Sequence, residues 1–235
     1  MAAVFTADPF IVAIHLKIHC LKKNLGYFLL ASLLLAILWS VFGAADAFTW
    51  WMEAFPVFFA LPLLIVTREK FRLTSLLYCL IWIHMLVLLI GAHYTYAKVP
   101  LFEYLREYFS WSRNHYDRLG HFVQGFVPAM VARELLLRTS PLRRGKWLLA
   151  IILLGCLGIS AAYELLEWAT AEVMGEGADA FLGTQGDVWD TQKDMLMAFI
   201  GAATALATLS RFHDKALKKV SRPPPAIVRW IDIIA

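Results

Sequence analysis

Residues 183–209 read GTQGDVWDTQKDMLMAFIGAATALATL. The first part is polar and carries Asp187, Asp190 and Asp194; the remainder, after Asp194, holds no charge at all. Twenty residues from Asp190 to Leu209 suffice to cross roughly 30 Å of hydrocarbon as a helix. If helix begins by Asp187, spacings of three and four residues put all three acids on one stripe, with Asp194 about two turns in. A carboxylate entering lipid is costly unless it is paired, protonated or bound to a cation. These acids therefore mark a functional site if the chain is a membrane protein.

Composition decides that question. The chain has 235 residues and is 60% hydrophobic, with a mean hydropathy of +0.62. Soluble domains sit near ~45–50% apolar. The apolar residues gather into six blocks, at 25–43, 50–66, 73–92, 121–137, 147–170 and 190–209. The fourth is the least apolar, being interrupted by Gln124, Pro128 and Arg133. The blocks are continuous and do not alternate as barrel strands do. The expected fold is all-α: a polytopic membrane helix bundle of six transmembrane helices in one domain over 1–235, with a cytoplasmic tail over 210–235. The segment PLFEYLREYFSWSRNHYDRLG (100–120) places Leu101, Leu105, Tyr108, Phe102 and Phe109 at helical spacing, with Glu103, Arg106 and Glu107 opposite. It reads as an amphipathic helix in the outer interface, or as a lid above a site there.

Basic residues set the orientation. With six spans, 17 of the 22 Lys and Arg fall on one side, leaving Lys98, Arg106, Arg113, Arg118 and Lys193 on the other. Both termini are thus expected in the cytoplasm. The net charge of +4 needs no nucleic acid, since basic loops beside headgroups account for it. Lys22-Lys23, an apolar run and Ala45-Asp46-Ala47 mimic a signal peptide, but the run is too long for one, and a retained first helix is expected. Cys20, Cys79 and Cys156 have no paired spacing and read as free thiols.

Depth can now be assigned. Asp117 and His121 share a helix face at the outer start of the fourth span, next to Arg118. The fifth span enters from the inside at Trp147, so Glu164 and Glu167 come roughly 25–30 Å later, at the outer end. The sixth brings Asp187, Asp190 and Asp194 to the same level. Glu53 and His93 lie at a suitable depth to join; His84 sits mid-span. Gly183 and Gly186 allow close approach of the TQG loop, and Gly175 and Gly177 bend the chain before it.

Clustered carboxylates repel, and Arg118 and Lys193 are few. Carboxylates with one imidazole suit a divalent cation, Mg²⁺, Mn²⁺, Ca²⁺ or Zn²⁺. The expected ligands or bases are His121, Glu164, Asp190 and Asp194, backed by Asp117, Glu167, Asp187 and Arg118. Protonation of buried carboxyls is the alternative to metal. Neither HExxH, a cysteine zinc pattern, a nucleophile elbow nor a P-loop is present.

The motifs HYDRLGHF, YELLEW and LGTQGDVWDTQKDMLMAFIGA resemble the YjdF-type bacterial inner-membrane proteins across all six spans, most specifically in the last motif. A more distant similarity is to VanZ-like proteins, which have an Asp-basic-x-x-His-Phe start, a glutamate near a helix end and an acidic motif before a small-residue helix. Asp194 stands here where an Asn is usual in that pattern, and Glu167 where a Gln is common. The resemblance implies a bacterial inner membrane and a shared polar site, and supplies no reaction. Three functions fit: a metal-dependent enzyme or binder acting on a lipid, lipid-linked or small-molecule headgroup; a proton- or ion-coupled transporter; an accessory protein in which the acids lock helices together.

Overall fold

The structure is a computed structural model that describes residues 9–175, 181 and 184–220, with backbone alone for residues 9–23. Seven α-helices form among the described residues: α1 (Pro9–Val41), α2 (Ala47–Thr67), α3 (Ser75–Tyr94), α4 (Pro100–Tyr108), α5 (Tyr116–Thr139), α6 (Lys146–Met174) and α7 (Asp190–Val220). A 3₁₀ turn at Tyr96–Lys98 joins α3 to α4. No strand occurs among the described residues. Gly177, Gly183 and the proline-rich end 221–235 lie outside them.

Among the described residues, five helices are long and apolar enough to cross a membrane: α1 (over Asn24–Val41), α2, α3, α6 and α7. The chain is a polytopic helical membrane protein. Large apolar side chains such as Phe55, Phe59, Leu154, Leu165 and Leu196 stay exposed on the bundle, the pattern of a surface that faces hydrocarbon. The fourth expected span is α5, which starts earlier than expected, at Tyr116, and has 24 residues. It is long enough to cross but carries Asp117, Arg118, Arg133, Glu134 and Arg138. Its polarity has a packing cause. α5 contacts α3, α6 and α7 and buries residues around its circumference, among them His121, Gly125, Val127, Met130 and Glu134. A helix jacketed by protein needs no apolar stripe toward lipid. α7 runs past the expected 209 to Val220, so the first part of the expected tail continues the helix.

The core is the α3 stripe Leu77, Ile81, Met85 and Leu89, joined by Val127 and Met130 of α5, Ile152 and Cys156 of α6, and Ala202 and Leu206 of α7. The closest approach is between α5 and α7. A Cβ added at Gly125 would fall on the Ala198 backbone, and one at Gly201 on the Phe122 carbonyl. The small residues of MLMAFIGAATALATL are there to let two backbones meet, the usual device where helices associate in lipid. That contact sets α5 and α7 side by side, both running in the same direction from the end that holds Asp117 and Asp194.

Polar links between helices replace the missing hydrophobic drive. Ser40 donates to the Leu89 carbonyl at 2.7 Å and accepts from the Trp50 indole at 2.9 Å. Asp46 caps α2 by accepting from Thr49 N–H at 2.6 Å, and this bond holds its carboxyl below the usual carboxylate range. At the other end of the bundle, Glu134 is fully buried. It accepts from Thr74 N–H and Oγ1 at 3.0 and 2.8 Å, and from Arg138 at 2.7 Å. His213 Nε2 lies 2.9 Å from the same carboxylate. The cap of α3 is thereby tied to α5 and α7. Cys79 and Cys156 are free thiols.

The expected amphipathic helix is α4, but its stripe differs from the expected one. Leu101, Tyr104 and Tyr108 are the outward apolar positions, while Phe102 turns inward onto the Tyr116 ring, 5.3 Å away. Glu103 and Arg106 pair with each other at 2.5 Å.

Candidate functional site

The acids of α5, α6 and α7 meet at one end of the bundle, in two parts. The first is ionic. Arg118, projecting from the first turn of α5, places its guanidinium 2.5 Å from Asp194 Oδ1, 2.6 Å from Asp190 Oδ1 and 3.1 Å from Asp187 Oδ2. It also donates to the Asp190 carbonyl at 3.0 Å. Arg113, in the segment between α4 and α5, pairs with Asp190 as well and reaches Asp117 Oδ2 at 3.4 Å. Asp190 is therefore gripped by two guanidiniums, of which the sequence points to Arg118 and not to Arg113.

Asp187 differs from expectation. α7 begins at Asp190, so Asp187 lies in the turn before it and not on the helical stripe. It accepts from Lys193 Nζ at 2.7 and 2.9 Å and from the Trp189 N–H at 3.1 Å. The lysine first, and then that N–H, hold its carboxyl below the ordinary value. The loop is fixed by an amide exchange: Asn114 N–H donates to Gln185 Oε1 at 2.8 Å, and Gln185 Nε2 donates to the Asn114 carbonyl at 3.0 Å. Gln185 adopts a φ of +49° and Gly186 one of +80°, which makes the turn tight enough for that exchange. Asn114 is fully buried, and its Nδ2 donates to the Val99 carbonyl at 3.1 Å. It is a structural keystone that nothing in its sequence context singles out.

The second part is a cavity of about 220 Å³ bordered by Glu53, His84, Asp117, His121, Tyr163 and Glu167, among other residues. His121 is 5% exposed. Its Nε2 lies 3.5 Å from both Asp117 Oδ1 and Glu164 Oε1, and its Nδ1 is buried with no hydrogen-bond partner among the described residues. One ligand atom each from Asp117, His121 and Asp194 can be chosen so that all lie within 4.8 Å of one another. The α5–α7 contact explains this: Gly125 and Ala198 touch, and one turn before them stand His121 and Asp194.

All eight candidate residues thus come to one end, but they do not share one role. Arg118, Asp187 and Asp190 belong to the ionic part; Asp117, His121 and Glu167 line the cavity, with Glu164 beside His121; Asp194 meets Arg118 on one side and the Asp117–His121 pair on the other. Glu53 of α2 enters the cavity wall, and so does the mid-span His84. His93 does not: it stacks on Trp39, with ring centres 4.3 Å apart, and lies 3.0 Å from the Ser40 carbonyl. Sequence spacing reveals which residues share a helix face; it does not tell which neighbouring face they meet.

Comparison with known proteins agrees with the motifs. The family described as "Predicted membrane protein (DUF2238)" matches residues 25–215. The inner membrane protein YjdF of Escherichia coli (strain K12) is 48% identical over 188 residues, covering 80% of this chain and 90% of that protein. No solved structure matches the chain. The matched region takes in α5, α6 and the acidic start of α7, and on that ground the chain belongs to the DUF2238 family of YjdF-type membrane proteins.

Proposed function

We propose that the chain holds a divalent cation between Asp117, His121 and Asp194 and presents it to a lipid or lipid-linked headgroup. The observation that carries this reading is the convergence of three ligand atoms within 4.8 Å, beside a cavity that Glu53 and Glu167 also border. Arg118 and Lys193 are spent on Asp187, Asp190 and one oxygen of Asp194, and Arg113 is shared between Asp190 and Asp117 Oδ2. Glu53, Glu164 and Glu167 lie in the same region with no Lys or Arg paired to them among the described residues, and Asp117 keeps one oxygen beside His121. A cation offsets the repulsion among these acids, and two carboxylates with one imidazole suit Mg²⁺, Mn²⁺, Ca²⁺ or Zn²⁺. Such a cation supplies Lewis acidity toward a phosphoryl oxygen or a bound water. Glu164, whose Oε1 lies 3.5 Å from His121 Nε2, is the carboxylate outside the ligand set that is placed to orient the ring or take a proton. Glu164 and Asp190, expected as ligands, become a positioning group and an ionic anchor on this reading.

The experiment is metal content and thermal stability of detergent-purified protein, beside Asp117→Asn and Asp194→Asn. A cation present at a hundred times its Kd stabilises the parent by about 2.7 kcal/mol. Near-stoichiometric metal in the parent and its loss in both variants are the expected results. Parent protein that is metal-free, and gains no stability from any of the four ions, ends the cation reading.

One observation favours a second reading: the cavity reaches the mid-span His84, as a proton path through a membrane protein would. Proton uptake by proteoliposomes, abolished in Glu53→Gln, distinguishes transport from chemistry confined to one face. If neither metal nor proton flux is found, and both variants only melt earlier, the acids serve as a lock between helices.

The sidedness belongs to the same proposal. Six spans, with α5 counted among them, put both termini in the cytoplasm and the acidic end outside the bacterial inner membrane, by the bias of Lys and Arg. A cysteine at Glu107 is then labelled in intact cells by an impermeant maleimide, and one at Arg143 is labelled only after lysis. The reverse pattern inverts the topology.

A further inference from the structure

The end of the bundle remote from the acids has its own feature. Between α6 and α7 runs a furrow of about 480 Å³. Its walls are apolar, with Leu149 and Ile152 on α6 facing Ala203 and Ala207 on α7. Arg133 also borders it; this residue is 4% exposed and lies 2.7 Å from both Asp214 Oδ1 and His213 Nδ1. At the polar end stands Arg144, whose Nε donates to the same Asp214 oxygen at 3.0 Å while its side chain stays 59% exposed.

The charges do not balance. Two guanidiniums share one carboxylate, and the exposed Arg143 and Lys146 flank Arg144 in the chain. Arg211, also exposed, lies one turn beyond Ala207 on α7. Gly145, at the start of α6, borders the furrow as well; it caps the helix without a side-chain hydrogen bond, so the first-turn N–H groups add to the positive field. An apolar trough between two membrane-crossing helices, ending in excess positive charge, is complementary to one kind of molecule: an apolar chain with an anionic head.

We infer that this furrow seats a phospholipid carrying a net-negative phosphodiester headgroup. The phosphate lies against Arg144 and the first turn of α6. An acyl chain lies between Ile152 and the alanines Ala203 and Ala207. Arg133, committed to Asp214 and His213, positions Asp214 and through it Arg144. The site is independent of any cation at the opposite end.

The test uses the full chain, delipidated in detergent, with dioleoylphosphatidylglycerol and dioleoylphosphatidylcholine supplied in equal amounts and bound lipid counted by native mass spectrometry. The parent retains the anionic lipid over the neutral one by at least about five-fold, the worth of one basic side chain near a headgroup. Arg144→Gln lowers that preference about five-fold, and Ala207→Trp, which fills the furrow from an exposed position, removes the preferred lipid. Both changes lie on the surface, and unchanged melting of each variant confirms its fold. Equal retention of the two lipids overturns the inference. So does a preference that survives Ala207→Trp, which places the lipid elsewhere, and so does displacement of the lipid by millimolar inorganic phosphate, which would make the site one for a free anion.

Discussion

Gly125→Val is expected to leave little folded protein. Its first added carbon falls on the Ala198 carbonyl, and the next nearest atoms are also Ala198 backbone. Overpacking a core costs about 1–3 kcal/mol when side chains can yield. Here the neighbour is backbone in the middle of α7, so the loss is expected at or above the upper end, about 3 kcal/mol. Size-exclusion profile and melting temperature in detergent are the readouts. Gly155→Ala is the control: nothing lies within 4 Å of its added carbon, and replacing an open helical glycine gains roughly 0.5–1 kcal/mol. If Gly125→Val melts with the parent, α5 and α7 do not touch backbone to backbone, and the juxtaposition of His121 with Asp194 falls with that contact.

Arg118→Ala is expected to be the most damaging change among the charged residues. Arg118 is 10% exposed at the side chain, and its partners Asp190 and Asp194 are 9% and 3% exposed. Removing one member of a buried ionic group strands the others and costs about 3–5 kcal/mol. Arg113 still holds Asp190, so the uncompensated charge is chiefly that of Asp194. The double change Arg118→Ala with Asp194→Ala should therefore lose clearly less than the sum of the two single changes, as coupled neighbours do. Arg106→Ala breaks a pair with Glu103 in which both side chains are more than a third exposed, and is expected to cost under about 1 kcal/mol. Equal losses for Arg118→Ala and Arg106→Ala would mean that water reaches the Arg118 cluster and that it is no buried network.

The two halves of the site were legible to different degrees. Asp117 with His121, Glu164 with Glu167, and Asp190 with Asp194 are pairs three or four residues apart, and helical periodicity alone puts each pair on one face. Basic-residue bias then brought the three faces to one level. Arg113 was missed because it lies in an irregular segment, where no period says which way a side chain points. Asn114 and Gln185 were missed for the same reason: their exchange spans 71 residues and depends on a turn at positive φ. Nothing in the sequence singles out Glu134 or His213. They satisfy each other across 79 residues, which no local pattern records.

What the sequence determined by itself was the class of molecule, the long apolar helices and the acidic ends of α5, α6 and α7. Those follow from the transfer of side chains into lipid and from the 3.6-residue repeat, both local properties of a chain. Only the tertiary structure decided which acids are neutralised and which face the cavity, because that depends on two glycines letting α5 and α7 close to backbone contact. It also decided that α5, the least apolar of the six blocks, is polar because protein and not lipid surrounds it. A residue's environment is set by its neighbours in space, and spacing along the chain reports only those that share its helix.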